Sequence, residues 1–389
     1  MKKIILLLVF FSSLMGKIIA QEKVNISIKA NFDTCSVKKY KKEKPEKRSG
    51  FDQLTLKIPY GDFLISNLKD AEDLKGGIIE KVELVYTQYP RENDFSELNQ
   101  KRMAMLYFAA PNAFSSYMTK WKLVAQTGCH SESEASGYFH GFVITYRKAP
   151  SMESAMEEGE YIKRLADGRE VIRDSTVIKI LNRSLNWKNM VVVGDFTGSM
   201  SPYIGQLLCW YSLKLKVEKE KDKVKNFVFF NDGDMKPDAE KRTGATGGIY
   251  DCAATNYDTV INCAVKTIKA GYGGDAPENN VEALLFAQKK YTDAKEFILV
   301  ADNWANMRDY ELISSVKKPV HVILCGVTTE PNLQYIELAY KTKGSIHTME
   351  EDLNDLFKKG EGQTFDLMGN RYRVYNGKII RVGPIPVKS

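Results

Sequence analysis

The sequence predicts an α/β protein: a doubly wound, mostly parallel sheet, with a β-rich N-terminal domain before it and a C-terminal β tail after it. Three observations carry this. From residue 189 onward, short apolar runs alternate with stretches of helical length, the pattern of a parallel sheet wrapped in helices. Several of those runs are apolar throughout and stop at an acid, as in Val191-Val192-Val193-Gly194-Asp195, which suits strands buried on both faces. Before residue 150 the runs lie between turns. One of them, Ile79-Glu80-Lys81-Val82-Glu83-Leu84-Val85-Tyr86-Thr87, alternates with period two and suits a strand with one wet face.

The chain has 389 residues, a length for two domains, and its 43% apolar content supplies a sizeable core. Lys2 and Lys3 precede an apolar run over 4–15, and small Ala20 precedes Gln21. These are the parts of a secretory signal, so residues 1–20 are expected to be removed and the rest exported, to the periplasm or outside the cell. A retained anchor is the competing reading, but the run is short for a membrane span. With no second long apolar run, a soluble mature protein is expected, either released or associated with the envelope.

The net charge of +7 falls to about +4 without the signal. Much of it sits in Lys38, Lys39, Lys41, Lys42, Lys44, Lys47 and Arg48, which read as a solvated loop, so no nucleic-acid partner is expected. The six cysteines have no zinc-cluster spacing. Cys209 and Cys325 fall in apolar elements and are expected to be buried thiols. Export permits disulfides, and Cys35 with Cys129 is the first pair to test. The spacing leaves the connectivity open.

Taken in order, residues 21–150 form the β-rich accessory domain, with a helix near 97–106. Residues 151–188 are charged and mixed, with a helix near 152–165, and read as a connector. The main α/β domain, 189–360, begins with the strand at 191–194 and a helix over 203–217. A strand at Phe227-Val228-Phe229-Phe230 and a short one at 248–251 follow. Next come a helix over 257–269, a glycine-rich loop at 271–277 and a helix over 278–290. The strand Phe297-Ile298-Leu299-Val300 ends at Asp302. A short helix at 310–316, a strand from Val320, a helix at 333–341, a strand at 345–348 and a helix at 352–358 complete the series. The tail, 361–389, carries strands around Asn376-Gly377, a strong hairpin signal. Such a tail could return to the N-terminal β part.

In doubly wound folds, ligands bind at the carboxyl ends of the strands. Here those ends carry Asp195, Thr197, Ser199 and Asp302, and the glycine-rich loop adds Asp275 and Glu278. All are hard oxygen donors, which suit magnesium, or calcium or manganese, better than softer metals. Hydroxyls beside carboxylates leave the ion incompletely neutralised, so it attracts a partner's carboxylate.

At these residues the sequence resembles the von Willebrand factor A family. That family's metal-ion-dependent adhesion site reads Asp-x-Ser-x-Ser after the first strand, then a loop Thr, then an Asp after the fourth strand. Asp195-Phe196-Thr197-Gly198-Ser199-Met200 is similar to the first motif, with Thr197 keeping the hydroxyl of the first Ser. Asp302 stands where the family has Thr-Asp-Gly. Val320-His321-Val322-Ile323-Leu324-Cys325-Gly326, Leu338-Ala339 and Lys343-Gly344-Ser345-Ile346 resemble its last strand, helix and glycine turn. The resemblance covers about 189–358. It implies a vWA fold, a metal held by Asp195, Thr197, Ser199 and Asp302, and metal-assisted binding of a protein partner.

The sequence departs from the family in one loop. Gly273-Gly274-Asp275-Ala276-Pro277-Glu278 has no threonine and looks like the Gly-Gly-Asp-x-Pro-Glu loop of A-type domains attached to some atypical protein kinases. Asp275 or Glu278 is expected to supply the missing oxygen, giving a tighter, partly closed site.

Other chemistries fit less well. Phe196 breaks an aspartic-protease Asp-Thr-Gly, which also needs a second copy. Gly194–Ser199 lacks the lysine of a phosphate loop. Asn231-Asp232-Gly233-Asp234 lacks the further acids of a calcium loop and reads as a turn, with Asp232 and Asp234 near the site. His321 and His347 read as packed strand residues, and Trp304 as a rim or packed loop residue. No residue is marked as catalytic. A metal-assisted hydrolase with Asp232, Asp275 or Glu278 as base, and an envelope component with a vestigial site, are the alternatives to a binding protein.

Overall fold

The computed structural model describes residues 32–42, 51–75, 77–114, 119–148, 151–172, 174–184, 186–217, 223–271, 277–328 and 330–385. The expected signal at 1–20 lies outside them, as does Asp275. The chain divides into two compact units, Met1–Ala149 and Pro150–Ser389. Among the described residues no helix is long and apolar enough to cross a membrane.

The first unit holds a five-stranded sheet in the order β1-β4-β3-β5-β2. Its strands are β1 (Phe32–Val37), β2 (Phe51–Lys57), β3 (Ile78–Thr87), β4 (Lys120–Gln126) and β5 (Gly141–Arg147). β4 is parallel to both β1 and β3, and β5 is antiparallel to β2 and β3. A parallel pair needs a crossover, and α1 (Ser96–Ala109) lies between β3 and β4 in the chain, with the short α2 (Glu132–Ser136) between β4 and β5. Met103, Ala104, Leu106 and Ala109 of α1 share one core with Leu56, Val82, Leu84, Phe142 and Ile144 of the sheet. The part expected to be β-rich is thus mixed α/β. Its parallel pairs were hidden because alternation reports a half-wet strand, not its direction.

The second unit is built on a seven-stranded sheet in the order β12-β11-β10-β9-β6-β7-β8. β6 (Met190–Asp195), β7 (Val224–Phe230), β9 (Glu296–Asp302), β10 (Val320–Cys325) and β11 (Ser345–His347) run parallel. The two edge strands, β8 (Ile249–Ala253) and β12 (Asp352–Leu353), are antiparallel. The side-chain alternation of β6 divides it between two cores. Val191 and Val193 pack on one face, Met190 and Val192 on the other.

The first face is covered by α7 (Asn280–Lys290) and α8 (Leu333–Lys341). The second is covered by α3 (Met152–Ala166), α4 (Thr176–Arg183), α5 (Ser201–Leu215) and α6 (Tyr257–Ala270). The segment expected as a connector is therefore built into the second unit: Ala155, Ile162, Val177 and Ile180 are core residues. Arg183 fixes its far end, donating two hydrogen bonds to Asp352 at 2.7 and 2.6 Å and others to the carbonyls of Thr348 and Met349.

Two further expectations change. The helix expected at 352–358 is β12 followed by a 3-10 turn, because His347 and Arg183 both claim the Asp352 carboxylate and hold that stretch against β11. The tail folds as an antiparallel sheet, β13 (Thr364–Leu367), β14 (Asn370–Tyr375) and β15 (Lys378–Pro384). Asn376 and Gly377 turn the β14–β15 hairpin at φ 51° and 68°, the left-handed pair an Asn-Gly turn requires. This sheet packs within the second unit. Phe365, Leu367, Tyr372, Val374 and Ile379 join the core under α8, and the Ile379 N–H donates to Glu337 Oε1 at 2.9 Å.

Candidate metal centre

β6 and β9 are neighbours in the middle of the sheet, so their carboxyl ends deliver Asp195 and Asp302 to one edge, one residue apart in register. Both acids are buried, at 0% and 3% exposure. Each closes the same local turn. The Thr197 N–H donates to Asp195 Oδ1 at 2.8 Å, and the Trp304 N–H donates to Asp302 Oδ1 at 2.9 Å. An Asp side chain that accepts from the N–H two residues on mimics a backbone turn, which lets each strand stop abruptly at its acid.

The Thr197 hydroxyl also donates to Asp195 Oδ1, at 2.7 Å. A hydroxyl that gives its proton to a carboxylate keeps its oxygen lone pairs for another partner. Ser199 follows in the 3-10 turn Gly198–Met200, which feeds into α5, and is half-buried. Asp195 Oδ2 is buried and has no hydrogen-bond partner among the described residues. Burial, then the charge of Asp302, and further the charge of Asp232, push the Asp195 carboxyl up to about 8. Each of these effects is one that a cation at the site would oppose.

Glu278 is buried at 7% exposure, just before α7. Its backbone is fixed against the loop after β9: its N–H donates to the Asn306 carbonyl, and its own carbonyl accepts from the Arg308 N–H at 2.8 Å. The Tyr335 phenol is pushed well above its usual range by burial, then by the charges of Asp302, Asp195 and Glu278. One phenol thus feels three of the carboxylates that the sequence singled out. Asp275 is the one expected ligand that lies outside the described residues.

Asp232 has a different role from its neighbours. It is fully buried, and its Oδ2 accepts from Lys241 Nζ at 2.7 Å and from Arg308 Nη2 at 3.0 Å. Asp234 is tied to the turn by Asn231, whose Oδ1 accepts the Asp234 N–H and whose Nδ2 donates to Asp234 Oδ1. The left-handed residues Asp232, Gly233 and Asp234, at φ 58°, 92° and 61°, complete a tight turn. Lys241 and Arg308 were missed by sequence reasoning. Lys241 sits in an unpatterned polar stretch, and a buried lysine leaves no mark in composition. Arg308, six residues past a strand-end acid, was the more findable of the two.

Among the described residues no three His, Cys, Asp or Glu side chains form a metal-holding cluster. The strand-end ensemble is of another kind, two acids with hydroxyls. No family model, curated protein or solved structure matches the chain.

A second constellation needs separating from it. At the opposite, amino ends of the strands, Ser345 Oγ lies 2.6 Å from His347 Nε2, and His347 Nδ1 lies 2.7 Å from Asp352. His321 lies 2.6 Å from the same Ser345 hydroxyl and 2.9 Å from Glu296. The chain of contacts has the composition of a nucleophilic triad, but Ser345 and His347 are each only 2% exposed. Trp187 packs against both imidazoles. Burial lowers both histidines below the usual value. A serine closed off from solvent cannot meet a substrate, so this network braces the base of the sheet.

Proposed function

We propose that the second unit is a doubly wound vWA-type domain that holds a magnesium-type divalent cation at the carboxyl edge of its sheet, and that the exported protein binds a protein partner there. The observation that carries this reading is the pairing of buried Asp195 and Asp302 on adjacent strand ends, with Asp195 Oδ2 lacking a hydrogen-bond partner among the described residues. Two buried carboxylates repel unless a cation or a proton joins them. Protein cations serve Asp232 in this way.

The strand order supports the same reading. It runs outward from β6 in both directions, so β6 and β9 flank the point where ligands collect in such sheets. Asp195, Asp302 and the hydroxyls of Thr197 and Ser199 are the proposed ligands, directly or through water, with Glu278 or Asp275 as the further oxygen. Calcium or manganese would use the same donors. The ion supplies a Lewis-acidic position that an external carboxylate can fill. The hydrolase alternative loses one of its candidate bases, because a carboxylate held by Lys241 and Arg308 is a poor proton acceptor.

Titration calorimetry with magnesium tests the site. The native protein is expected to bind, Asp195→Asn and Asp302→Asn to lose binding, and Glu278→Gln or Asp275→Asn to weaken it. Native-like heats from Asp195→Asn would sink the proposal. Magnesium-dependent capture of an envelope partner, lost in Ser199→Ala and on chelation, tests the binding role.

A further inference from the structure

The strand-end acids leave the cysteines unexplained. All six are free thiols in the structure. The pair favoured by sequence, Cys35 with Cys129, does not meet. Cys35 is level with Val124 in the β1–β4 register, whereas the Gly128 N–H bonds to the Lys38 carbonyl. Cys129 therefore lies at least three residues further along β1, roughly 10 Å away. A disulfide needs Cα atoms within about 7 Å.

Cys252 and Cys263 are differently placed. Cys252 is in β8, opposite Phe227 of β7, and faces the core that lies under α6. Cys263 is on the inward face of α6, in the same core. The register of helix on strand is fixed independently by Lys266, whose ammonium lies 5.2 Å from the centre of the Tyr250 ring. Three residues back on the helix is Cys263. Two residues on along the strand, on the same face, is Cys252. One helical turn therefore advances past one strand repeat and brings the two thiols together. The neighbouring Cys263 thiol, together with burial, raises the Cys252 thiol, and the neighbouring Cys252 thiol lowers Cys263 below the usual cysteine value.

We propose that Cys252 and Cys263 form an intramolecular disulfide that joins the antiparallel edge strand β8 to α6. The oxidant is an external disulfide. Half-exposed Cys252 attacks one of its sulfurs and releases one external thiol. Cys263 then attacks the Cys252 sulfur and releases the second. Two protein thiols are oxidised, one external disulfide is reduced, and both thiol protons leave with the released thiols. The bond pins the helix whose C-terminal Gly271 packs against Asp234, beside the turn that ends β7. The assignment stands whether or not the acids bind a cation.

Peptide mapping of the full-length protein, equilibrated folded with oxidised glutathione and then trapped with an alkylating agent under denaturing conditions, tests it. A linked peptide containing Cys252 and Cys263, lost on reduction, is expected. Free alkylated thiols or separate glutathione adducts at both positions would overturn it, as would linkage of either to another cysteine. In a parallel melting experiment the oxidised native protein is expected to melt higher than the reduced one, and Cys252→Ala to melt alike under both conditions. A redox shift that persists in Cys252→Ala would also count against the bond. Should that variant not fold, the mapping on the native chain decides alone.

Discussion

Asp195 combines complete burial with two acidic neighbours, and this makes its protonation a stability variable. Its folded-state value, about 8, lies far above the ordinary 3.8, so between those limits the folded protein holds a proton that the unfolded chain releases. Stability from this group is present below the lower value and is lost as pH rises through the upper one, at no more than about 1.4 kcal/mol per pH unit. A cation reverses the balance by favouring the charged acid. Magnesium is expected to raise the melting temperature more at pH 8 than at pH 5.5, and Asp195→Asn without magnesium to melt above the native protein at pH 8. Equal magnesium shifts at both pH values would contradict this. These residues were legible in sequence because strand-end acids after apolar runs form a local pattern. Lys241 was not, since its partner Asp232 is reached through a fold rather than a spacing.

Elements pack here with little spare room, and Gly205 on α5 is the sharpest case. A Cβ at that position would stand 2.6 Å from Leu165 Cβ and Cδ1 on α3. Alanine improves intrinsic helix propensity by about 1 kcal/mol, but overpacking costs about 1–3 kcal/mol. Leu165 is 1% exposed, and its Cβ cannot swing away. Gly205→Ala is therefore expected to lower stability by up to about 2 kcal/mol in urea unfolding, with an unchanged slope. The strands at 191–194, 227–230, 297–300 and 320–325 could be located from composition because two-sided burial demands unbroken apolar runs. Short edge pieces could not. β12 has only two residues, and its pairing depends on Arg183 and His347, contributed by α4 and β11.

On the scale of the whole molecule, the two hydrophobic clusters around the seven-stranded sheet are built entirely from residues after 150, and so is every group of the candidate metal centre. A chain comprising residues 150–389 is expected to fold cooperatively and to bind magnesium within a few-fold of the full-length protein, as circular dichroism and calorimetry would report. A molten fragment would show that the second unit needs the first. The strand order has a kinetic consequence as well. On one side Val191 of central β6 pairs with Asn226; on the other it pairs with Phe297. During synthesis the β6–β7–β8 half can assemble as soon as its own residues emerge, while β9, β10 and β11 must wait for a distant stretch of chain. Loop closure over such separations slows folding. The growing chain therefore carries an apolar β6 edge for a time, and Asp195 at its end meets Asp302 only once β9 has been added.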